Sequence, residues 1–466
     1  MRLSSLKAPN TYAIIFSIIV LMALLTWLIP AGEFNRVLIN NKSIVSDNSY
    51  HLVENNPQNI DDVLMAPIRG FVDASLIIGF VLIVGGAFGV FQKTEAVDSG
   101  IKAVAEAYNK SPIVRRLLIP IFMVIFSLAG AVFGMSEEII PFILVFVPMA
   151  LMLGYDSIIG VAIPFVGAGV GFAGAFLNPF TLGIAQGIGE LPLFSGIEYR
   201  LIVWLILTSV AVFFVMRYAS KIKQNPELSI TYEIDIQKKK KLNLNSTNTF
   251  KGIDNKHKIV LFTFLLGIFV LVFGVLKYEW FIEEICAVFF MTGIAVGFMG
   301  RLKVKEITDS FISGAKDLIG TAIVIALARG ILIIATDGKI IDTILFSLAS
   351  AIKGLHPVVS GQAMFVVQSL INFFVPSGSG QAALTMPIMA PLGDLVGVTR
   401  QTAVLAFQFG DGFSNLIIPT SAVTMGVLTL AEIPWEKWVR WMLPLQIILF
   451  IVGLLLLIPP YITNWQ

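Results

Sequence analysis

The chain of 466 residues is far more apolar than a soluble globular domain. Hydrophobic residues make up 56% of it and charged residues only 13%, and the mean hydropathy is +0.86. The net charge of +2 gives no reason to expect a nucleic-acid partner, and a single cysteine excludes an internal disulfide. The composition therefore predicts an all-α polytopic membrane protein whose partner is the lipid bilayer.

The first hydrophobic run, Tyr12 to Leu28, lacks a convincing cleavage site. We expect it to be a retained N-terminal transmembrane helix within residues 1–30. Residues 31–70 are polar and rich in Asn, which predicts an extracytoplasmic loop. With broken segments included, the chain should hold about 10 spanning helices. The uninterrupted apolar runs lie at 74–92, 198–216, 259–276, 285–300, 318–336 and 441–460.

Two regions, 117–189 and 358–431, are too long for two ordinary spans and are interrupted by Gly, Pro and small polar residues. This pattern is typical of re-entrant hairpins and discontinuous helices. We expect two hairpins, near 134–138 and 375–381, and two broken helices, near 177–180 and 415–420.

The two regions resemble each other. Aligning Ser127 with Ser369 superposes the first breaks, and aligning Gly171 with Gly412, at nearly the same offset, superposes the second. Upstream, residues 85–101 are similar to residues 328–344 at a comparable spacing. Three blocks in one order indicate a duplicated unit. The sequence thus predicts two transmembrane repeats, at 71–217 and 259–466.

Basic residues predict the orientation, because cytoplasmic loops carry an excess of Lys and Arg. They crowd residues 93–116, 301–305 and 218–258, the last including Lys238 to Lys241. We therefore expect the N-terminus and a basic linker at 218–258 to be cytoplasmic, in the inner membrane. The four-lysine run is interpreted as a solvated linker rather than a lipid-recognition site. With this orientation the two repeats are inverted, as in alternating-access transporters.

Three carboxylates lie in apolar surroundings beside the predicted breaks. Glu137 and Glu138 are the only acidic or basic residues between 117 and 155, and Asp411 is the only one between 401 and 431. A carboxylate at membrane depth costs at least ~2.5 kcal/mol, so a binding site is the favoured explanation. Alternatively, Glu137 and Glu138 cap the second arm of a hairpin whose tip reaches water.

Unwound backbone at a break offers N–H donors to a substrate carboxylate and carbonyl groups to Na⁺. Asn178-Pro179 and Pro419-Thr420 each free an upstream carbonyl, so a transient Na⁺ is expected near Asn178 and Thr420, although a plain kink remains an alternative. The coupling ion is Na⁺ or a proton, and no resident metal or cofactor is expected. The candidate substrate-binding residues are Ser136, Glu137, Glu138, Asn178, Pro179, Ser377, Gly378, Ser379, Gly380, Gln381, Asp411, Ser414, Asn415 and Thr420.

Arg329 is the one basic residue expected well inside a span. It could form an ion pair with one of the three site carboxylates, reach an aqueous interface, or bind a substrate anion. Pairing with a carboxylate and reaching an interface are together favoured over binding of a substrate anion.

These motifs resemble the ion transporter superfamily of secondary carriers, in its YfcC-like branch, which is related to the anaerobic four-carbon dicarboxylate carriers. The resemblance extends over nearly the whole chain. It implies an inverted-repeat carrier with a scaffold and a moving transport domain, commonly a homodimer. The motifs that carry it lie at 85–89, 130–138, 178–179, 377–387 and 407–414.

The substrate expected is a small carboxylate-bearing metabolite. Dicarboxylate carriers of the superfamily use paired Ser-Asn-Thr tips, which residues 134–138 and 377–380 do not match. Three carboxylates against one arginine would repel a dianion, so a basic amino acid of the arginine/ornithine type is slightly favoured. The alternative is a cation-coupled dicarboxylate or other organic-anion carrier. An ion channel would need a continuous polar lining, and no nucleophile, base or metal cluster suggests an enzyme.

Overall fold

The computed structural model describes residues 11–39, 42–45, 49–241, 253–278, 280–352 and 354–465. The start of the predicted N-terminal segment, 1–10, and part of the predicted linker, 242–252, lie outside these residues. So do 40–41 and 46–48 of the predicted loop. The helix α1 (Thr11–Leu28) comes first and is followed by four short strands that form two antiparallel two-stranded sheets, β1 with β4 and β2 with β3. The strands are β1 (Gly32–Glu33), β2 (Arg36–Ile39), β3 (Lys42–Val45) and β4 (His51–Leu52).

The next helix, α2, begins inside the predicted loop 31–70. Its first turn is stabilised by Asp62, whose carboxylate accepts a hydrogen bond of 2.9 Å from the Asn59 N–H. The first half of the chain forms α2 (Ile60–Asp73), α3 (Ser75–Lys93), α4 (Ala96–Lys110), α5 (Pro112–Phe133), α6 (Ile143–Met152), α7 (Ser157–Val161), α8 (Gly167–Ala173), α9 (Ile184–Ile188) and α10 (Ile197–Gln224). A 3₁₀ turn at Glu137–Phe142 leads into α6, and π-helical turns at Ala162–Val166 and Pro179–Gly183 lead into α8 and α9.

The helix α10 continues past residue 218, so the predicted linker begins as helix. The remaining helices are α11 (Tyr232–Lys241), α12 (Asn255–Tyr278), α13 (Ile282–Met299), α14 (Val304–Asp317), α15 (Ile319–Asp337), α16 (Ile341–Ser350), α17 (Pro357–Phe374), α18 (Gly378–Val396), α19 (Arg400–Ser414), α20 (Ala422–Leu430), α21 (Trp435–Leu456) and α22 (Pro459–Ile462).

Eight helices among the described residues are long and apolar enough to cross a membrane. They are Ser75–Lys93, Pro112–Phe133, Ile197–Gln224, Asn255–Val275, Ile282–Met299, Ile319–Asp337, Pro357–Phe374 and Trp435–Ile462. Each uninterrupted apolar run of the sequence coincides with one of them to within one residue at either end or lies inside it. The other two, α5 and α17, open the two interrupted regions. The prediction of about ten is higher because it also counted α1 and the broken segments. The apolar part of α1, Tyr12–Leu28, is shorter than a span, as are Ser157–Ala173 and Ile341–Ser350.

Helices from the two halves pack directly on each other. The helix α3 packs on α14, and α2 packs on α15. Within each half, the helix that opens the interrupted region packs on the broken helix that follows: α5 on α8, and α17 on α19. Small residues allow these close crossings. A β-carbon added at Gly70 of α2 would lie 2.8 Å from the backbone nitrogen of Gly330 in α15.

Gly70→Ala is expected to destabilise the protein by about 1–3 kcal/mol, because the new methyl group meets backbone atoms of α15 that cannot move aside. Gly79→Ala in α3 is the matched control, since a β-carbon there has no atom within 4 Å. That variant should be neutral or slightly more stable, as alanine favours helix over glycine. Thermal melting of the purified variants in detergent compares the two. Equal melting temperatures would show that α2 and α15 are not in backbone contact.

The helix α11 is anchored by a buried lysine. Lys238 is 6% exposed and donates hydrogen bonds to the Ser157 hydroxyl, at 2.9 Å, and to the Ala431 carbonyl. Beside it, Asp235 accepts from the Ser157 N–H at 3.0 Å. Burial lowers the pKa of Lys238, and the charge of Asp235 opposes that shift. The interpretation of the four-lysine run as a solvated linker is therefore wrong at Lys238.

Candidate functional site

The four helix breaks of the sequence analysis surround one cavity of about 350 Å³. Each break has a local cause. Gly134 ends α5 in a left-handed conformation with φ of 73°, which glycine adopts without strain, and Ser377 caps the start of α18. The predicted site residues that line the cavity are Ser136, Glu137, Glu138, Arg329, Ser377, Gly378, Ser379, Asn415 and Thr420.

At the first break, both acidic side chains face the cavity and are half-buried. The Glu138 carboxylate also accepts a hydrogen bond of 2.9 Å from the Ser136 N–H. Glu138 therefore both caps this turn and lines the cavity.

At the second break, Asn178 is fully buried and caps the turn that leads into α9. Its side-chain oxygen accepts hydrogen bonds from the N–H groups of Phe180, at 2.9 Å, and Thr181, at 3.3 Å. The Asn178 amide nitrogen and the Thr181 hydroxyl have no hydrogen-bond partner among the described residues. Asn178 and Pro179 lie outside the cavity lining, whereas Phe180 and Thr181 belong to it.

At the third break, α18 begins at Gly378, so the predicted tip residues Gly380 and Gln381 lie within its first turn. The Gln381 side chain is buried and donates to the Gln368 side chain, at 2.7 Å, and to the Gln368 carbonyl, at 2.9 Å. Gln381 therefore binds α17 instead of facing the cavity, because its position on α18 turns it towards that helix. Ser379 lines the cavity, and its hydroxyl forms no hydrogen bond with another described residue.

At the fourth break, Asp411 is fully buried behind the cavity wall. One carboxylate oxygen accepts from the Asn415 amide at 2.8 Å, and the other has no hydrogen-bond partner in the described part of the chain. A β-carbon added at Gly378 would lie 2.8 Å from that second oxygen, so a glycine is needed for this approach. Ser414 is also buried, and its hydroxyl accepts from the Asn372 amide at 2.9 Å.

Arg329 forms its ion pair with Asp73, the last residue of α2. The predicted partners Glu137, Glu138 and Asp411 are not paired with it, because α15 packs along α2 and brings Asp73 to the guanidinium. Both members of the pair line the cavity.

The sequence analysis missed Asp73 and Thr181. Asp73 immediately precedes an apolar run, where an acidic residue normally indicates a membrane interface. The only signal that could have drawn attention to it is an Arg on another span in need of a counter-ion.

Comparison with known proteins agrees with this architecture. The sequence profile of the C4-dicarboxylate anaerobic carrier family matches residues 8–461. The chain belongs to this family. Membership makes it a carrier of small molecules in a membrane, in line with its eight candidate membrane-spanning helices.

Two relatives match over almost their full length. An Escherichia coli K12 protein with the name "Putative basic amino acid antiporter YfcC" is 37% identical, over 98% of this chain and 97% of that protein. An uncharacterized Haemophilus influenzae protein is 28% identical, over 97% and 96%. Among solved structures, the YdaH transporter of Alcanivorax borkumensis aligns with a TM-score of 0.46 at 14% identity, over 98% of this chain and 99% of that one.

Proposed function

We propose that the protein is a secondary active transporter that exchanges basic amino acids of the arginine/ornithine type by alternating access. The observation that carries this proposal is the charge of the cavity wall: Asp73, Glu137 and Glu138 stand against Arg329 alone. A basic amino acid has one carboxylate and two cationic groups, so it complements such a wall better than a dianion does.

The two ends of the cavity wall suggest how the substrate lies. Ser377 and Ser379 stand at the start of α18, where unpaired N–H groups and the helix dipole favour a carboxylate. Glu137 and Glu138, at the other hairpin tip, would hold the side-chain cation. The substrate therefore spans the two tips, with its apolar stem against cavity-lining aromatic residues such as Phe172 and Phe180.

The same proposal includes the finer architecture. The breaks at 134–136 and 375–377 are the tips of two re-entrant hairpins, those at 174–178 and 415–421 interrupt two discontinuous helices, and the repeats 71–217 and 259–466 are inverted. In this arrangement the N-terminus and the linker at 218–258 face the cytoplasm of a cell with the carrier in its inner membrane, and two copies form a homodimer. The equivalent packing of α5 on α8 and of α17 on α19 supports the repeat.

A coupling ion, Na⁺ or a proton, is proposed next to the broken helices. Buried polar atoms are normally hydrogen-bonded, yet four oxygens beside these breaks have no partner among the described residues: Thr181 Oγ1, Asp411 Oδ2, Asn415 Oδ1 and Thr420 Oγ1. Oxygen atoms are the ligands of alkali cations, and a carboxylate can also take up a proton. The Na⁺ expected near Asn178 and Thr420 would thus be coordinated by these neighbouring oxygens as well as by freed carbonyl groups.

Counterflow into proteoliposomes preloaded in turn with arginine, ornithine, succinate or fumarate tests the substrate. We expect labelled arginine to accumulate against ornithine. Accumulation of a dicarboxylate alone would overturn the basic amino-acid assignment. It would favour the second candidate, a cation-coupled C4-dicarboxylate carrier, which the family membership supports. Uptake without counterflow or saturation would point to a channel.

Ser379→Ala is expected to weaken substrate affinity about tenfold, because the hydroxyl lines the cavity and is free to contact the substrate. The melting temperature should not change. Ser369→Ala is the control, since that hydroxyl donates at 2.9 Å to the carbonyl of Phe365 in its own helix. Affinity measured by competition with labelled substrate compares the two. An unchanged affinity in Ser379→Ala would remove the α18 tip from the binding site.

A further inference from the structure

Two ion pairs connect α2 with α15, and they differ in what they face. Arg69 Nη1 lies 2.6 Å from Asp337 Oδ2, and four residues further along α2, Asp73 pairs with Arg329. The Arg69–Asp337 pair lies outside the lining of the central cavity, whereas Asp73 and Arg329 both belong to it. The Arg69–Asp337 pair is therefore explained fully as a contact between the two helices. The Asp73–Arg329 pair also joins the helices, and a substrate in the cavity can reach it.

The Asp73–Arg329 pair is open enough to exchange partners. The side chain of Arg329 is 35% exposed and that of Asp73 is 46% exposed. Ion pairs at this level of exposure contribute little net free energy, so a ligand with matching charges can replace one partner by another at small cost. The planar guanidinium of Arg329 also suits a two-point contact with a carboxylate.

The head group of an α-amino acid carries those matching charges on one carbon atom. Its carboxylate would take the place of Asp73 on Arg329, and its ammonium group would take the place of Arg329 on Asp73. The two carboxylates at the first hairpin tip, Glu137 and Glu138, then remain for a cationic side chain. A dicarboxylate or a simple diamine lacks one of the two head-group charges.

We infer that Asp73 and Arg329 together recognise the α-ammonium and α-carboxylate groups of the substrate and so restrict transport to α-amino acids. The inference rests on the proposed function, since it assigns the head group of the same substrate. Arg329 and the start of α18 line the same cavity, and the inference places the substrate carboxylate in contact with both. Asp73 would be a specificity residue in addition to the three carboxylates that the sequence predicts at the site, Glu137, Glu138 and Asp411.

Competition against labelled arginine tests the assignment with two analogues. Agmatine lacks the carboxylate of arginine, and the desamino analogue lacks the α-ammonium group. The wild-type protein should prefer arginine to each analogue by about tenfold or more. Arg329→Gln should abolish the preference over agmatine, and Asp73→Asn should abolish the preference over the desamino analogue. Arg69→Gln, which breaks the pair outside the cavity, should leave both preferences intact.

Each other outcome has a definite meaning. Arg329→Gln and Asp73→Asn could weaken the binding of arginine and of both analogues equally, or leave both preferences at the wild-type ratio. In either case the pair only joins the helices and the inference is wrong. If the single variants do not fold, the double variant Asp73→Asn/Arg329→Gln removes both charges and leaves neither unpaired. Preferences that stay at the wild-type ratio in this variant would also overturn the inference. A wild-type protein that binds neither arginine nor ornithine would overturn the proposed function itself.

Discussion

Glu137→Gln and Glu138→Gln should each reduce exchange of a basic amino acid about hundredfold, because removal of one partner from a desolvated charge pair costs about 2–5 kcal/mol. Both carboxylates line the cavity and are half-buried. Glutamine has the shape of glutamate and, at position 138, retains an acceptor for the Ser136 N–H. Detergent stability should therefore change little. Initial rates of counterflow at equal reconstituted protein, together with melting temperatures, measure both effects.

Glu227→Gln is the control for these variants, since Glu227 is exposed and lies outside the cavity lining. It should transport at the wild-type rate. The capping role alone would be supported by a different result. Glu137→Gln and Glu138→Gln would then have lower melting temperatures but a normal transport rate per folded molecule. The neutral amino acid norvaline provides a further control, as a substrate. It lacks the side-chain cation, so its weak binding should be unaffected by either substitution.

Asp411→Asn should remove the dependence of transport on the coupling ion. The carboxylate is fully buried, and one oxygen has no hydrogen-bond partner among the described residues. A buried carboxylate with an unpaired oxygen is stabilised by binding a cation or a proton, whereas a neutral amide needs neither. The variant should keep the hydrogen bond from Asn415 on the remaining oxygen. We expect it to be as stable as the wild type, or more so, when sodium is absent.

Transport by the Asp411→Asn variant is measured with sodium replaced by choline, and at two pH values. The wild-type rate should respond to one of these changes, and the variant should respond to neither. Asp394→Asn is the control, because Asp394 is partly exposed and pairs with Arg400 at 2.9 Å. A variant that keeps the full ion dependence would exclude Asp411 from the coupling site.

The helix breaks could be located from sequence because their causes are local. Gly134 ends a helix through its own backbone conformation, and Ser377 and Asn178 cap the turns that follow them. Such signals depend on a few neighbouring residues. The similarity between the two interrupted regions of the sequence strengthened them, since each break in one region has a counterpart in the other. Apolar runs of bilayer length indicated six of the eight candidate spans in the same way.

The partners of the charged side chains could not be predicted, since they are set by packing between distant elements. Arg329 and Asp73 are far apart in sequence and meet only because α15 lies along α2. Gln381 was expected at the substrate, but its place in the first turn of α18 directs it to Gln368. Local pattern specifies where a helix begins, whereas the direction of a side chain also depends on which helix packs beside it.

In the proposed orientation, the buried Lys238 has one role during membrane insertion and another in the folded protein. The bias of positive charge that orients a membrane protein acts while the chain is being inserted, before any tertiary contact exists. At that stage Lys238 counts with its three neighbours as part of a strongly basic segment. In the folded protein its charge is enclosed between Ser157 and Ala431, and Lys241 lies 3.3 Å from Glu432. In the proposed cytoplasmic orientation, the surface that the folded segment presents to anionic lipids is therefore less basic than the same segment during insertion.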